Sequence, residues 1–281
     1  MTKIPGNVAI QDNVVFGQGG GRDLKCDVFT PPDEKQDRIG ILLIHGGAWS
    51  QGDKSQLRGY GIQLARYGFL CVCAEYRLSG ESVWPAQIED CKAALRWMRA
   101  NSASLGLDPK RIAVSGNSAG AHLALILGGT PGEGEFEGQG GNAGIDTSVG
   151  AVIAIYPPTL LRTTGTLAGA IDQLFGSTDV STEVQDRASP INWSKADFPP
   201  TMLIHGNKDD IVPVSASLNM YSRLVSDGAR VEMHIYEGAP HAFDAVQEFG
   251  RQVTDMIALF VDRQLNTRRF TDREAFRETS N

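Results

Sequence analysis

The 281-residue chain lacks any excess of basic residues, and no basic run stands out in it. Its 33 acidic side chains outnumber its 26 basic ones, which gives a formal net charge of −7. Proteins that bind nucleic acid usually carry a basic patch or stripe on their surface. We therefore expect no nucleic-acid partner, and we expect the arginines near the C-terminus, which alternate with acidic residues, to be solvated.

Long hydrophobic runs are also missing. No apolar stretch approaches the roughly 20 residues that a membrane-spanning helix needs. The N-terminal segment 1–6 lacks the apolar core of a signal peptide. These absences predict a cytoplasmic protein without a membrane partner, and a secreted mature form that has lost its signal peptide stays open as the alternative.

The four cysteines show no C-x-x-C spacing and no zinc-ligand pattern. Cys71 and Cys73 fall on one face of an apolar strand, and Cys91 falls within a helical pattern. Buried, reduced thiols are therefore favoured over disulfides. We expect neither a metal nor a cofactor.

What the chain does contain is an alternation of strand and helix patterns. Ile39–Ile44 and Phe69–Ala74 are continuously apolar, as in strands that are covered on both faces. Residues 85–100 carry apolar side chains at helical spacing. The alternation predicts an α/β fold, namely a doubly wound, mostly parallel sheet with helices on both faces. Predicted strands cover 24–29, 39–44, 69–74, 112–115, 149–155, 201–204 and 230–236, and predicted helices cover 57–67, 85–100, 121–127, 215–225 and 243–260.

No internal repeat or linker divides the chain, so a single domain over residues 1–281 is expected. Residues 1–20 are interpreted as an N-terminal extension and residues 266–281 as a C-terminal tail. Gly128–Gly144 holds eight glycines and is predicted to be a loop, with its role left open.

The pentapeptide Gly116-Asn117-Ser118-Ala119-Gly120 lies between a β-branched run and a helix of small residues. G-x-S-x-G in a strand–turn–helix context is typical of a nucleophile elbow. An ordinary Gly/Ser turn is the alternative. The pattern makes Ser118 the candidate nucleophile, and it must find a base and an acid elsewhere in the chain.

Of the five histidines, His241 follows the last predicted strand and comes after Ser118 in chain order, as a catalytic base should. The acid should come from Asp209 or Asp210, which follow the preceding strand. The spacing from Gly206 favours Asp209 and leaves Asp210 open. Backbone donors for an oxyanion are expected from Ala119 and from the loop after residue 44, at Gly47 and Ala48 with Gly46 as an alternative. We expect His45 to hold that loop by hydrogen bonding.

These motifs together resemble the α/β-hydrolase superfamily and, within it, the hormone-sensitive-lipase-like carboxylesterases. The nearest resemblance is to the branch with kynurenine formamidases and bacterial feruloyl and acetyl-xylan esterases, and it spans roughly residues 22–262. It implies a triad of Ser118, Asp209 and His241, and it selects Asp209 over Asp210. The motifs that carry it are His45–Trp49, Tyr76–Ser79, Trp84–Asp90, Gly116–Gly120, Glu135–Asn142, Ala188–Pro190, His205–Asp209 and Gly238–Phe243.

The chain departs from that family at three points. Ala48 stands where the loop often has a third glycine, and the segment that begins Tyr156-Pro157-Pro158 differs from the usual one. Too few residues precede the first predicted strand for a large helical cap, so we expect little or no cap and an open site. Candidate walls of the substrate pocket, with core packing as the alternative for each, are Trp49, Tyr76, Trp84, Pro157 and Phe243.

Three functions are consistent with these motifs. The first is a serine carboxylic-ester hydrolase that acts through an acyl-enzyme on short-chain or aromatic acyl esters or on acylated sugars. The second is an amide hydrolase of the arylformamidase type, and the third is a non-catalytic binder of small molecules on the same fold. The first predicts a small-molecule ester as the partner. The sequence does not set the oligomeric state, and a homodimer is one option.

Overall fold

The computed structural model describes residues 1–266, which form an eight-stranded sheet flanked by helices. The strand order is β1-β2-β4-β3-β5-β6-β7-β8. The first two strands run antiparallel to their neighbours, and all other neighbours are parallel. The doubly wound, mostly parallel α/β fold is therefore confirmed. The strands are β1 (Ala9–Gly19), β2 (Arg22–Thr30), β3 (Arg38–Ile44), β4 (Leu70–Ala74), β5 (Leu107–Asn117), β6 (Ala151–Ile155), β7 (Thr201–Gly206) and β8 (Val231–Tyr236).

Helices cover both faces of the sheet. The α-helices are α1 (Arg58–Arg66), α2 (Ala86–Ala100), α3 (Ser102–Leu105), α4 (Ala119–Gly129), α5 (Gly134–Glu137), α6 (Ala168–Phe175), α7 (Thr182–Arg187), α8 (Ser215–Ser226) and α9 (Gln247–Leu265). Short 3-10 helices lie at Lys54–Leu57, Pro190–Trp193 and Phe243–Ala245. Helices α1 and α9 pack on one face, and α2, α4 and α8 pack on the other.

The central strands are buried on both faces, which explains their unbroken apolar sequences. In β3, Leu42 and Ile44 pack toward α2 and α4, whereas Ile41 and Leu43 pack toward α1 and α9. All four side chains are buried. Removing one such side chain from water contributes about 1.5–3 kcal/mol to folding. The sheet is thus a rigid platform whose strand ends can hold loops in fixed positions.

The N-terminal region needs a correction. Residues 1–20 are not only an extension, because β1 is the edge strand of the sheet and pairs antiparallel with β2. Register shifts interrupt this pairing twice, and Phe16 is the only fully buried side chain of the strand. An irregular, mostly exposed strand has no regular alternation of apolar and polar residues, so β1 could not be predicted from a period-two pattern.

The glycine-rich segment Gly128–Gly144 is also more ordered than predicted. Helix α4 extends into it as far as Gly129, and α5 occupies its middle. Two buried cations on α2 hold α5, because Lys92 Nζ lies 2.8 Å from Glu137 Oε1 and Arg96 lies 2.9 Å from Glu137 Oε2. The segment is therefore fixed against α2 by a partly buried ion-pair cluster.

The carboxyl ends of the parallel strands meet at one edge of the sheet, and four of these strands are followed by segments with candidate site residues. The segments that follow β3, β5, β7 and β8 contain Gly47, Ser118, Asp209 and His241 respectively.

All four cysteines are buried, and none forms a disulfide. Among residues 1–266, every helix is too short or too polar to cross a membrane. Apart from Asn266, the predicted C-terminal tail lies outside the described residues.

Candidate active site

Ser118 lies in a sharp turn between β5 and α4. Its backbone is left-handed, with φ of 53° and ψ of −120°, and it directly precedes the first residue of α4. A Cβ on Gly116 would lie 2.3 Å from the Gly120 carbonyl oxygen, and a Cβ on Gly120 would lie 2.1 Å from that of Ile44. Both flanking positions therefore admit only glycine, as a nucleophile elbow requires.

The structure brings Ser118, His241 and Asp209 together in one hydrogen-bonded chain. Ser118 Oγ lies 3.0 Å from His241 Nε2, and His241 Nδ1 lies 2.6 Å from Asp209 Oδ2. An ionised carboxylate can only accept hydrogen bonds, so Nδ1 carries the hydrogen and donates a hydrogen bond to Asp209. The Nε2 lone pair is then free to accept the Ser118 hydroxyl. This is the arrangement in which an imidazole can act as a general base.

Asp209 is held by more than His241. Its Oδ1 accepts hydrogen bonds from the backbone N–H groups of Ile211, at 3.0 Å, and Val212, at 2.8 Å. His205 Nε2 lies 3.2 Å from Oδ2 and also donates to the Val212 carbonyl oxygen. Burial raises the pKa of Asp209, but hydrogen bonds from His205, His241 and the Val212 N–H outweigh it and hold that pKa far below its ordinary value. The carboxylate therefore stays ionised beside His241.

The loop after β3 lies against the elbow. A Cβ on Gly46 would lie 3.2 Å from Ser118 Cβ, so glycine permits the close approach. Within residues 1–266, the backbone N–H groups of Gly47, Ala48 and Ala119 have no acceptor in the protein. Free N–H groups at a helix N-terminus and on a facing loop form a set of donors suited to an oxyanion.

His45 supports this loop from behind, as the sequence predicts. Its Nδ1 donates to the Gly46 carbonyl oxygen at 2.7 Å, and its ring stacks on Tyr76 with centroids 4.3 Å apart. The Tyr76 hydroxyl donates to the His45 carbonyl oxygen at 3.1 Å. Burial lowers the pKa of His45, which keeps the ring neutral. His45 does not reach Ser118 in any hydrogen bond among the described residues.

A family match covers most of the chain. The sequence profile of the BD-FAE family matches residues 26–224, a stretch that contains Ser118 and Asp209 and ends before His241. The chain belongs to the BD-FAE family. This family is part of the α/β-hydrolase superfamily, in agreement with the resemblance in the sequence and with the observed fold.

Relatives of this BD-FAE chain include two mycobacterial proteins. Esterase LipC of Mycobacterium tuberculosis is 33% identical over 236 residues, which are 79% of this chain and 58% of LipC. Esterase LipQ of the same organism is 29% identical over 273 residues, which are 92% of this chain and 64% of LipQ. The chain therefore spans about 58–64% of the length of these curated relatives.

Solved structures of similar proteins agree along most of the chain. A truncated carbohydrate esterase from gut microbiota has a TM-score of 0.81 and 27% identity, and the match covers 91% of this chain and 97% of that one. Esterase 2 of Thermogutta terrifontis has a TM-score of 0.78 and 26% identity, and the match covers 92% of each chain. The overall fold of the BD-FAE chain is thus shared with both esterases.

A cavity of about 770 Å³ opens at Ser118 and His241. The apolar part of its lining includes Pro158, Leu167 and Val212. The lining from residues 56–63 and 244–251 carries hydrogen-bonding side chains. These are Gln56, Tyr60, Gln63, Asp244, Gln247 and Arg251. The cavity therefore offers both apolar surface and hydrogen-bonding side chains to a ligand.

The predicted pocket walls need a correction. Of the five aromatic and proline candidates, only Trp49 lines this cavity. Tyr76, Trp84 and Phe243 are buried in the two hydrophobic cores, where their rings pack against other side chains. Pro158, not Pro157, faces the cavity. Tyr76 lies just after the buried strand β4 and Trp84 lies just before α2, so both rings pack into the core beside those elements.

Sequence reasoning missed a polar cluster beside His241. The Tyr156 ring centroid is 4.6 Å from that of His241, and the Tyr156 hydroxyl donates to Asp244. Tyr60 donates to the other Asp244 oxygen at 2.6 Å, and Asn117 Nδ2 donates to the Tyr156 hydroxyl at 3.2 Å. Burial and the nearby Asp244 raise the pKa of both phenols, so both remain donors. The signal available was Asp244 itself, three residues after His241.

Metal binding finds no support among residues 1–266, where no three His, Cys, Asp or Glu side chains are grouped so as to hold a metal ion. The site instead offers a hydroxyl, an imidazole, an ionised carboxylate and free backbone N–H groups. These are the parts needed for acyl transfer to a serine.

Proposed function

We propose that this protein is a serine carboxylic-ester hydrolase that works through an acyl-enzyme on Ser118. The observation that carries the proposal is the chain of hydrogen bonds from Ser118 Oγ through His241 to Asp209. The names of the relatives support it, because LipC, LipQ and the structural neighbours are all called esterases. The free N–H groups beside Ser118 are the second line of support.

In this mechanism Ser118 Oγ attacks the ester carbonyl carbon while His241 Nε2 takes the hydroxyl proton. The carbonyl oxygen becomes an oxyanion that the N–H groups of Gly47, Ala48 and Ala119 stabilise. His241 then gives its proton to the leaving alcohol as the carbon–oxygen bond breaks. Water then attacks the acyl-enzyme by the same steps, with His241 as the base, and the acid is released. Asp209 keeps the His241 ring oriented and stabilises its positive charge.

The mixed lining of the cavity supports a substrate preference. Its apolar residues suit a short-chain or aromatic acyl group, and its hydrogen-bonding side chains suit an alcohol with several hydroxyl groups, such as a sugar. The gut-microbiota neighbour is named a carbohydrate esterase, which agrees with this preference. A cytoplasmic location and the lack of nucleic-acid or membrane partners remain predictions from the sequence, and the oligomeric state stays open, with a homodimer as one option.

Hydrolysis of p-nitrophenyl acetate and butyrate tests the reaction class. We expect turnover by the wild type and a loss of about 10⁴-fold or more in Ser118→Ala, because the nucleophile is removed. Ser104→Ala is the matched control, since Ser104 is an exposed serine on α3, and it should keep wild-type rates. Wild-type rates in Ser118→Ala would contradict the proposal.

Amide hydrolysis of the arylformamidase type is the second candidate, and the His-Gly-Gly-x-Trp loop at His45–Trp49 is the observation that favours it. N-formylkynurenine and methyl ferulate should be assayed in parallel at equal enzyme concentration. We expect turnover of the ester to dominate. A higher kcat/KM for the formyl substrate would replace the esterase proposal with the amidase one.

A further inference from the structure

The proposed oxyanion hole is built from two separate segments of the chain. Gly47 and Ala48 lie on the loop after β3, whereas Ala119 is the first residue of α4. Their N–H groups can stabilise one oxygen atom only if the loop and the helix keep a fixed relative position. Some contact must therefore tie the loop to α4.

The backbone conformation of this loop is not one that its residues prefer on their own. Gly47, Ala48 and Trp49 have φ angles of 108°, 51° and 58°, so three consecutive residues are in the left-handed region and two of them carry side chains. Such conformations persist only where the surrounding structure imposes them. The hydrogen bonds of Ser50 and Gln51 to the Gly47 carbonyl oxygen close the turn but do not reach α4.

One side-chain hydrogen bond does join the loop to the helix. The Trp49 indole N–H donates to His122 Nδ1 at 3.2 Å, and the two rings meet edge to face with centroids 5.1 Å apart. His122 lies one turn along α4 from the elbow, where its backbone N–H donates to the Ser118 carbonyl oxygen at 3.0 Å. The indole is thus anchored on the helix that also carries Ala119.

The protonation state of His122 is fixed by its two partners. Its Nε2 lies 2.7 Å from the Ala188 carbonyl oxygen, which can only accept, so Nε2 carries the proton. An indole N–H can only donate, so Nδ1 must be the bare acceptor. His122 is fully buried, and burial lowers its pKa to about 4. The neutral form that accepts from Trp49 is therefore the one present near neutral pH.

From these contacts, and resting on the proposed function, we propose that Trp49 and His122 are positioning residues that hold the two halves of the oxyanion hole together. Neither side chain gives or takes a proton in the reaction. Their hydrogen bond keeps the Gly47 and Ala48 N–H groups aimed at the oxygen that Ala119 also binds. Losing it should weaken transition-state binding more than substrate binding, so kcat should fall with little change in KM.

Three single variants test the inference with p-nitrophenyl acetate. Trp49→Phe keeps the ring and removes the donor, and His122→Leu removes the acceptor. We expect each to lower kcat by about 10- to 100-fold, less than the 10²- to 10³-fold typical when an oxyanion donor is lost outright. His122→Asn and His122→Leu both lose the bond to Ala188, but only asparagine offers an oxygen near the position of Nδ1. His122→Asn should therefore keep more activity than His122→Leu.

A double variant separates positioning from general damage. If the two side chains act through their shared bond, Trp49→Phe combined with His122→Leu should be no slower than the worse single variant. Losses that multiply would contradict the inference. The control Trp193→Phe removes an indole hydrogen bond to the Arg187 carbonyl oxygen elsewhere in the protein and should keep wild-type kcat. Thermal unfolding curves identify any variant that is not folded at the assay temperature.

The rate at which a fluorophosphonate labels Ser118 gives a readout that needs no substrate. The oxyanion hole also binds the phosphoryl oxygen, so labelling of Trp49→Phe should slow in parallel with its kcat. If wild type is active but Trp49→Phe matches it in kcat and in labelling rate, the positioning role is wrong and the esterase proposal stands. If wild type neither hydrolyses esters nor is labelled, the proposed function itself fails.

Discussion

At the scale of single residues, the site depends on which aspartate faces His241. Asp209 is buried and bonded to His241, whereas its neighbour Asp210 is exposed. Two backbone N–H groups fix Asp209 Oδ1 and leave Oδ2 for His241 and His205. The G-x-x-D spacing favoured Asp209, but the support from His205 could not be predicted, because the sequence shows only that His205 comes at the end of a predicted strand.

We predict that Asp209→Asn lowers kcat/KM for p-nitrophenyl acetate by about 10³- to 10⁴-fold. An amide has no charge to stabilise the protonated His241 ring, and it can present its N–H₂ to Nδ1 and so favour the wrong tautomer. Asp210→Asn makes the same chemical change one residue away and should stay within about twofold of wild type. Equal losses in the two variants would overturn the assignment of the acid.

At the scale of elements, the elbow between β5 and α4 is set by steric constraints that a sequence can reveal. The spacing of Gly116 and Gly120 predicted it, and both glycines prove to contact backbone closely. The central strands were predictable for a similar reason, since full burial demands apolar residues throughout. Strand β1 and helix α5 were not, because an irregular edge strand and a glycine-rich turn of helix follow no periodic pattern.

A Cβ at residue 120 would lie 2.1 Å from the Ile44 carbonyl oxygen and 2.5 Å from that of His45, and backbone atoms cannot move aside easily. Gly120→Ala should therefore lower the free energy of unfolding by about 2–4 kcal/mol. Gly169, an exposed glycine of α6, has open space around its Cβ position. There the same substitution should raise stability by about 0.5–1 kcal/mol. Urea denaturation of both variants measures the difference, and similar midpoints would contradict this account of the elbow.

At the scale of the whole molecule, the pH dependence of unfolding should report the buried His122. Its pKa is about 4 in the folded protein and about 6.5 when exposed. The unfolded chain binds the extra proton first, so stability is complete above pH 6.5 and is lost as the pH falls toward 4. Between pH 7.5 and 4.5 this amounts to roughly 2–3 kcal/mol.

Denaturation of wild type and His122→Asn across this range checks the prediction. Acidification should lower the free energy of unfolding of the variant by roughly 2–3 kcal/mol less than that of wild type. Contributions from other groups such as His45 are common to both proteins. Asp209 does not interfere, because a carboxylate with a depressed pKa loses its contribution only below its ordinary value near 4. Parallel curves for the two proteins would show that His122 is not the group responsible.

The cavity also belongs to the whole molecule, and it was the part of the site least open to prediction. The triad follows from local motifs placed after successive strands. The cavity walls come from α1, the region before α6 and the start of α9, segments that are distant in sequence. Which rings face the cavity depends on how helices pack across the sheet. Aromatic residues near motifs were therefore poor guides, and Tyr60, Tyr156 and Asp244 were overlooked.

The proposed mechanism depends on Ser118 Oγ as the nucleophile of an ester hydrolase. Titration with a fluorophosphonate tests it most directly, because Ser118 Oγ would displace fluoride and form a stable bond to phosphorus. We expect one label per chain, found on the Ser118 peptide by mass spectrometry. We also expect hydrolysis of p-nitrophenyl acetate to fall in proportion to labelling. Hydrolysis that persists after Ser118 is fully labelled, or inactivation without a label on Ser118, would contradict this mechanism.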